Sequence, residues 1–164
     1  MRALAITASN RAASGVYSDR SGAILVELLG AEPGFDNVDG PVVVADGEPV
    51  EAALRDAVSA GYDLVVTTGG TGLTPTDRTP EMTRRVISRE VPGIAEAIRA
   101  AGAAAGVPSA VLSRGIAGLA GRTLIVNLPG SSGGVRDGMA VLSPILAHAI
   151  DQIHGGDHPR PQSP

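Results

Sequence analysis

Short apolar runs alternate with amphipathic stretches along most of this chain. The apolar runs are rich in β-branched residues, which is typical of strands buried in a sheet. The stretches between them repeat apolar residues every three or four positions, which is typical of helices that pack through one face. The predicted strands are 3–8, 42–45, 64–68 and 123–128, and the predicted helices are 21–29, one opened by Pro49, 79–90, 94–104 and a last one that includes 139–153.

The order of these elements predicts an α/β fold. Strand, helix, strand, helix and strand follow one another through short links from residue 3 to residue 68. Such alternation indicates a parallel sheet, because a crossover helix brings the next strand alongside in the same direction. We therefore expect a three-layer α/β/α sandwich around a mostly parallel β-sheet. Two short extended pieces, 110–113 and 116–117, are expected to form a hairpin or an edge strand.

The most distinctive stretch is the turn after the third strand. Residues 64–81 read LVVTTGGTGLTPTDRTPE, a strand that opens into a glycine loop and closes on a helix start with Thr79 as its expected N-cap. We call residues 69–77 the first glycine loop. Its glycines lack a Cβ and can take a positive φ, so an anion can approach the backbone N–H groups.

A carboxylate in this loop helps to decide between phosphate binding and a plain tight turn. The glycine spacing matches neither GxxxxGK[ST] nor GxGxxG, so the turn alone is compatible both with phosphate binding and with a plain tight turn. Asp77 lies where N–H groups already favour anions, and it would repel a phosphate unless a cation lay between them. The combination indicates a metal-bound nucleotide.

Three polar segments are expected at one edge of the sheet. Asn10, Asp46 and the first glycine loop each follow the carboxyl end of a predicted strand. In a parallel sheet these ends lie side by side and line the ligand crevice. Asp46 alone is also compatible with a helix-capping acid, but together with Asp77 it predicts a pair of metal ligands.

A second glycine loop, residues 129–134, follows the last strand. It reads PGSSGG and leads into the final helix, as the first loop leads into its own helix. Two such loops at strand ends favour a ligand that carries phosphate, because glycine N–H groups and helix N-termini both attract anions.

Composition excludes several classes of protein. The chain has no cysteine, and its 13 basic residues are all arginines. These absences exclude disulfides, thiol chemistry, P-loop NTPases, protein kinases, Schiff-base enzymes and lysyl-adenylate ligases. Any phosphate must be held by arginine, backbone N–H groups and metal. The net charge of -4 and the aromatic content of 2% argue against a nucleic-acid partner.

Length and hydropathy suit one globular domain. A chain of 164 residues that is 43% hydrophobic can bury a full core. We expect residues 1–154 to form this domain and residues 155–164, which lack an apolar face, to be a disordered tail. No apolar run approaches membrane-spanning length and the chain starts as a strand, so we expect a soluble, cytoplasmic protein without membrane contacts.

Five segments together carry a family pattern. They are ASNRAASGVYSDRSG (8–22), VADGEP (44–49), TTGGTGLTPTDRTPE (67–81), LSRGIAG (112–118) and TLIVNLPGSSGGVRD (123–137). In order and spacing they resemble the MogA/MoaB family of molybdenum cofactor biosynthesis, which includes the gephyrin G domain. The resemblance covers nearly the whole chain. It implies a molybdopterin-binding α/β fold and an enzyme that uses Mg-ATP to adenylylate molybdopterin with release of pyrophosphate. It also implies a homotrimer and transient contacts with other proteins of the pathway.

The resemblance implies roles for particular residues. The aspartates of the VADGEP turn and of the GGTG loop are essential acids in the family, which assigns Asp46 and Asp77 as catalytic residues and Mg²⁺ ligands. Other matching residues would hold the pterin and the phosphates. They are Gly69, Gly70, Thr71 and Gly72 in the first loop, Pro129, Gly130, Ser131 and Ser132 in the second, and the polar contacts Ser9 and Ser113.

Two positions differ from the residues common in the family. Family members often have Asp where Asn10 stands and Arg where Thr76 stands, whereas this chain places Arg78 directly after Asp77. Both differences change the charge at the expected phosphate site. Two alternatives stay open: a MoaB-type protein that binds molybdopterin without transferring AMP, and a trimeric scaffold domain.

Overall fold

The fold is built on one sheet of six strands. The computed structural model describes residues 1–156. The strands are β1 (Arg2–Ala8), β2 (Asn37–Val44), β3 (Leu64–Thr68), β4 (Arg89–Glu90), β5 (Ala117–Ala120) and β6 (Thr123–Leu128). The helices are α1 (Asn10–Ala13), α2 (Arg20–Gly30), α3 (Glu48–Ser59), α4 (Thr79–Arg84), α5 (Pro92–Ala104) and α6 (Ser132–Ile153), with a 3₁₀ helix at Pro108–Leu112.

The strands lie in the order β2-β1-β3-β6-β5-β4. β1 pairs in parallel with β2 and β3, and β3 pairs in parallel with β6. β5 is antiparallel to β6, and β4 is antiparallel to β5. The predicted mostly parallel sheet is confirmed. The carboxyl ends of the four parallel strands therefore meet along one edge, which is where ligands bind in open α/β sheets.

Helices cover both faces of this sheet. Side chains of β1 alternate between the faces, so that Ala3 and Ala5 belong to one buried cluster while Leu4 and Ile6 belong to the other. The first cluster includes apolar side chains of α2, α5 and α6, and the second includes those of α3 and α4. Every residue of β3 is buried, as expected for a strand covered on both sides. The three-layer sandwich is confirmed. Within the described residues, no helix has the length and hydropathy that a membrane span requires.

The structure corrects the helix predicted at residues 79–90. α4 ends at Arg84, and Arg89 and Glu90 form the edge strand β4. The N–H of Ser88 donates to Leu119 O at 2.7 Å, and the N–H of Val91 donates to Ala117 O at 2.8 Å. These bonds attach the segment to β5, and a continuing helix could not make them. Pairing with a distant strand therefore overrides local helix propensity.

Two predicted extended segments also change. β2 begins at Asn37 rather than at residue 42, because the residues from Asn37 onward pair with β1. Residues 110–113 lie mostly in the 3₁₀ helix, which has a proline in its first turn. The piece predicted at 116–117 overlaps the start of β5.

The polar segment after β1 contains the short helix α1, which sequence alone did not predict. Ser9 is its N-cap, and Ser9 Oγ accepts a hydrogen bond from the Ala12 N–H at 3.2 Å. At the other end of the chain, the N–H groups of Gly155 and Gly156 still donate to the last turn of α6. The rest of the predicted tail, residues 157–164, lies outside the described residues. The single-domain boundary stays a prediction.

Candidate functional site

The two glycine loops touch at the carboxyl edge of the parallel strands. Thr68 Oγ1 donates to Pro129 O at 2.8 Å, and the Gly69 N–H donates to Leu128 O at 3.2 Å. A Cβ on Gly130 would stand 3.1 Å from Gly69 Cα, so side chains here would push the loops apart. The two glycine loops therefore lie against each other at this edge of the sheet.

Two cavities open on either side of this contact. The larger cavity, about 430 Å³, lies towards α5 and the 3₁₀ helix, and its lining includes the apolar Ile98 and Leu112. The smaller cavity, about 260 Å³, lies towards α1 and the first turn of α2, and its lining is mainly polar. Gly70, Asp77 and Gly130 line both cavities and form a shared wall. Two ligands could therefore lie side by side and meet at this wall.

Nearly all the predicted site residues line one of these cavities. The exception is Ser132, the first residue of α6, which lines neither. Asn10 lines the smaller cavity, as expected from its place after β1. The larger cavity holds Thr71, Gly72, Ser113, Pro129 and Ser131, the smaller holds Ser9, Asp46 and Gly69, and the shared wall holds Gly70, Asp77 and Gly130.

Gly70 allows the Asp46 side chain to enter the first glycine loop. Its φ of 64° is a left-handed conformation, which costs other residues roughly 1–2 kcal/mol. A Cβ at this position would also collide with Asp46 Oδ2 and Thr79 Oγ1. Both the backbone and the available space therefore require glycine here.

The Asp46 carboxylate accepts three hydrogen bonds from the protein. Oδ1 accepts from the Gly47 N–H at 2.7 Å and from Thr79 Oγ1 at 3.0 Å, and Oδ2 accepts from the Arg78 N–H at 2.9 Å. Asp46 thus joins the turn after β2 to the end of the first glycine loop. The predicted N-cap role of Thr79 is wrong, because Arg78 occupies the N-cap position and the Thr79 hydroxyl donates to Asp46 instead.

The turn that carries Asp46 is held from two more directions. The Asp46 N–H donates to Asn10 Oδ1 at 3.0 Å. Arg78 Nη2 lies 3.3 Å from Glu48 Oε1. A backbone hydrogen bond and the positive charge of Arg78 hold the pKa of the Glu48 carboxyl below its ordinary value. Arg78, which follows Asp77 in sequence, is therefore paired with an acid of this turn.

The Asp77 carboxylate is much less engaged. Its Oδ2 accepts a hydrogen bond from the Thr74 N–H at 3.1 Å, inside the same loop. A carboxylate has about four acceptor positions. Asp77 therefore keeps most of its acceptor capacity for a ligand at the shared wall of the two cavities.

This donor set fits a magnesium ion that arrives with a phosphorylated ligand. Across residues 1–156, no three or more His, Asp or Glu side chains form a group that could hold a metal by themselves. Mg²⁺ is often held by one or two carboxylates and completed by substrate phosphates and water. Asp77 and, with less spare capacity, Asp46 provide two carboxylates that line the smaller cavity.

A buried asparagine ties the sheet together beneath the loops. Asn127 Nδ2 donates to Thr67 Oγ1 at 3.0 Å and to Thr83 Oγ1 at 2.9 Å. Its Oδ1 accepts from the Ile116 N–H at 3.2 Å. β3, β6, α4 and the start of the antiparallel edge are therefore fixed to one another where the loops begin.

Two arginines near the site have no counterpart among the sequence predictions. Arg114 contacts the backbone of the first glycine loop, and Arg99 lines the larger cavity. The LSRGIAG segment contains Arg114 directly after Ser113, so the family pattern marks the segment. Only the fold shows which side chain reaches the loop.

An α/β domain that brings two glycine loops, the N-terminus of a long helix and two carboxylates to one sheet edge is of the class that binds phosphorylated ligands. The chain belongs to the molybdenum cofactor biosynthesis family described as "Probable molybdopterin binding domain", which matches residues 4–148. The resemblance to the MogA/MoaB family is confirmed.

Individual relatives support the same assignment. A molybdopterin adenylyltransferase from Helicobacter pylori J99 is 35% identical over 157 residues, covering 92% of this chain and 86% of the relative. A molybdenum cofactor biosynthesis bifunctional protein from Synechococcus elongatus is 39% identical over 95% of this chain, which spans only 48% of that longer protein. The structure of the molybdopterin biosynthesis Mog protein from Mycobacterium ulcerans matches with a TM-score of 0.87 and 56% identity, covering 93% of this chain and 98% of that chain.

Proposed function

We propose that this protein transfers the adenylyl group of ATP to the terminal phosphate of molybdopterin. The observation that carries the proposal is the pair of cavities that meet at Gly70, Asp77 and Gly130. Two substrates that react phosphate to phosphate need adjoining sites with a common wall. The name of the Helicobacter pylori relative supports the same reaction.

In this reaction an oxygen of the molybdopterin phosphate attacks the α-phosphorus of ATP. The bond from the α-phosphorus to the oxygen that bridges to the β-phosphorus breaks, and pyrophosphate leaves with that oxygen. A phosphate monoester is largely a dianion at neutral pH, so the protein needs no nucleophile of its own. Its task is to position two anions and to neutralise their charge. A chain without cysteine or lysine can do this.

The backbone of the two glycine loops binds the phosphates in this proposal. The first loop supplies N–H groups on both sides of the shared wall. Beside the larger cavity, α6 adds the partial positive charge of its N-terminus. Ser131 Oγ accepts from the Gly134 N–H at 3.0 Å and caps that helix. Ser113 Oγ lies 3.3 Å from Thr71 Oγ1, so a hydroxyl pair faces the same cavity for a polar group of the pterin.

Asp77 orients the ATP phosphates, and Asp46 keeps the first glycine loop in shape. Both carboxylates would hold Mg²⁺, Asp77 through its open acceptor positions and Asp46 through the capacity that its three hydrogen bonds leave. When bound, magnesium neutralises phosphate charge and so lowers the cost of bringing two anions together. The predicted sharing of one cation by the two acids is supported by their common place on the smaller cavity.

Formation of adenylylated molybdopterin tests the proposal directly. Purified protein with Mg-ATP and molybdopterin should yield adenylylated molybdopterin and pyrophosphate in equal amounts. Asp56→Asn is the control for the same change at Asp77. Asp56 is an exposed aspartate on α3, so this variant should behave as the parent. A parent that binds molybdopterin but releases no pyrophosphate would reject the transferase in favour of a MoaB-type binding protein, the alternative raised by Asn10 and Thr76.

We also propose that the protein works as a homotrimer in the cytoplasm, where ATP is available. Val111 in the 3₁₀ helix and Val42 and Val43 on the edge strand β2 are 59%, 40% and 37% exposed, and neighbouring subunits would cover such apolar side chains. Light scattering at micromolar concentration should give the mass of three chains. A monomer would reject both the trimer and the scaffold alternative. Transient contacts with other proteins of the pathway stay a prediction.

A further inference from the structure

Arg114 reaches the first glycine loop from the antiparallel side of the sheet. Its Nε donates to Gly72 O at 2.8 Å, and its Nη2 donates to Asp77 O at 2.6 Å. Its own backbone N–H donates to Thr71 O at 2.8 Å. One residue therefore holds both ends of the segment that runs from Gly72 to Asp77.

The segment between these two anchors is exposed and bonded to itself. Residues 73–76 are exposed. The Asp77 N–H donates to Thr74 O at 3.0 Å, and the Thr74 N–H donates to Asp77 Oδ2 at 3.1 Å. The carboxylate therefore moves with the segment. A shift of the anchored ends would carry it away from the shared wall of the two cavities.

Glu81 and Arg99 hold Arg114 in its place. Glu81 Oε1 accepts a hydrogen bond from Arg114 Nη1. Arg99 Nη1 donates to Ser113 O at 3.3 Å and to Gly115 O at 3.0 Å, on either side of Arg114. Burial raises the pKa of the Glu81 carboxyl, but the hydrogen bond from Arg114, together with backbone and charge interactions, brings it below its ordinary value. Glu81 is therefore ionised at neutral pH, where it keeps the guanidinium oriented.

The contacts of Arg114 suit a role in shaping the loop. All three guanidinium nitrogens are engaged, two by backbone carbonyls and one by a carboxylate. Arg114 lines neither the larger nor the smaller cavity. The planar guanidinium holds several acceptors in a fixed geometry, which the flexible point charge of a lysine does not.

We propose that Arg114 is a positioning residue that sets the Asp77 carboxylate for adenylyl transfer. The inference rests on the proposed function, since it takes Asp77 as the residue that orients ATP. A displacement of about 1 Å at a reacting group can cost on the order of 100-fold in rate. The loss should fall on kcat, because the glycine N–H groups that bind the substrates are still present.

Steady-state kinetics of three variants test this role. Arg114→Ala should lower kcat on the order of 100-fold and change KM for either substrate by less than about threefold. Arg114→Lys should be more thermally stable than Arg114→Ala, because the lysine keeps the charge pair with Glu81, but its kcat should stay low. Guanidinium ion, added well below unfolding concentrations, should recover part of the rate of Arg114→Ala. Arg84→Ala is the matched control, because Arg84 pairs with Glu90 as Arg114 pairs with Glu81, and it should keep the parent kcat.

Two results would overturn the inference. A parent-like kcat in Arg114→Ala, or full recovery of kcat in Arg114→Lys, would show that Arg114 pairs with Glu81 but does not position the Asp77 carboxylate. Hydrogen exchange provides a readout that does not depend on activity. The amides of Thr74 and Asp77, which are hydrogen-bonded within the loop, should exchange at least about tenfold faster in Arg114→Ala than in the parent or in Arg84→Ala, because the two side-chain anchors of the loop are lost. If the parent transfers no AMP, the proposed function fails, and unchanged exchange would separately reject the anchoring role of Arg114.

Discussion

Asp46 and Asp77 occupy similar places in the sequence, each in a link between a strand and a helix, but the structure holds them differently. The Asp46 carboxylate accepts three hydrogen bonds from the protein, whereas the Asp77 carboxylate accepts one from its own loop. A carboxylate surrounded by protein donors stabilises the fold, and one with open acceptor positions can serve a ligand. Two acids that give equal signals in the sequence can thus differ in how much each contributes to the stability of the fold.

The largest effect is expected from Asp77→Asn. The amide can still accept from the Thr74 N–H, so the melting temperature should change by less than about 2 °C. Adenylyl transfer should fall on the order of 1,000-fold, about 4 kcal/mol, because the charge that orients the ATP phosphates is gone. Molybdopterin binding should persist. Product formation and thermal melts measure both quantities. A folded variant that transfers AMP at the parent rate would show that Asp77 only shapes its loop and that its open acceptor positions do not orient ATP.

Asp46→Ala should give the largest loss of stability. It leaves the N–H groups of Gly47 and Arg78 and the Thr79 hydroxyl without their acceptor. We expect a loss of about 3 kcal/mol in the free energy of unfolding, which corresponds to a melting temperature lower by about 6–12 °C. Asp77→Ala is the matched variant and should lose far less. Equal losses in the two variants, measured by denaturant titration, would contradict the assigned difference between the acids.

A smaller effect on stability is expected at Asn10, whose side chain accepts a hydrogen bond from the Asp46 backbone. Asn10→Ala removes the acceptor of the Asp46 N–H and should cost about 1 kcal/mol. Asn10→Asp keeps an oxygen at that place and should stay within about 0.5 kcal/mol of the parent. Urea unfolding of both variants checks this. Equal stability of the alanine and aspartate variants would show that Asn10 does not support the Asp46 turn.

The smallest effect is a pH dependence at Glu48. Its pKa is lowered in the folded protein, so its stabilising contribution is fully present above the pKa of an unfolded glutamate, about 4.3, and is lost as the pH falls through the lower folded value. Glu48→Gln should therefore melt slightly below the parent at pH 7, and the difference should shrink under acid conditions. Thermal melts across this range test the sign. A difference that grows on acidification would contradict the assigned contact with Arg78.

Much of the fold and part of the site could be predicted from the sequence. The central strands are apolar because helices cover them on both sides, so runs such as Leu64–Thr68 are visible without coordinates. Parallel pairing brings strand ends to one edge, and this explains why Asn10, Asp46 and the first glycine loop could be placed together. Gly70 could be recognised from the sequence as a glycine of the GGTG loop, and the structure adds that a positive φ and a close side chain both require glycine there.

Other features depend on contacts between distant parts of the chain. The end of α4 is set by backbone pairing of Ser88 and Val91 with β5, which no local pattern reveals. The number of donors around Asp46 depends on where Arg78 and Thr79 come to lie. Arg114 is one of 13 basic residues that are all arginines, and only its position across from the loop distinguishes it. The type of each residue is visible in the sequence, but the distant residues that its side chain contacts are not.

The pairing of β3 with β6 also determines when this site can exist during protein synthesis. Thr67 and Asn127 are bonded neighbours in the sheet although they are 60 residues apart in the chain. The second glycine loop follows β6, so one wall of both cavities is missing until most of the chain has left the ribosome. Pairing between such distant segments is also intrinsically slow, because a long loop must close first. The nascent chain therefore exposes the aspartate of its first loop long before it can bind a ligand there.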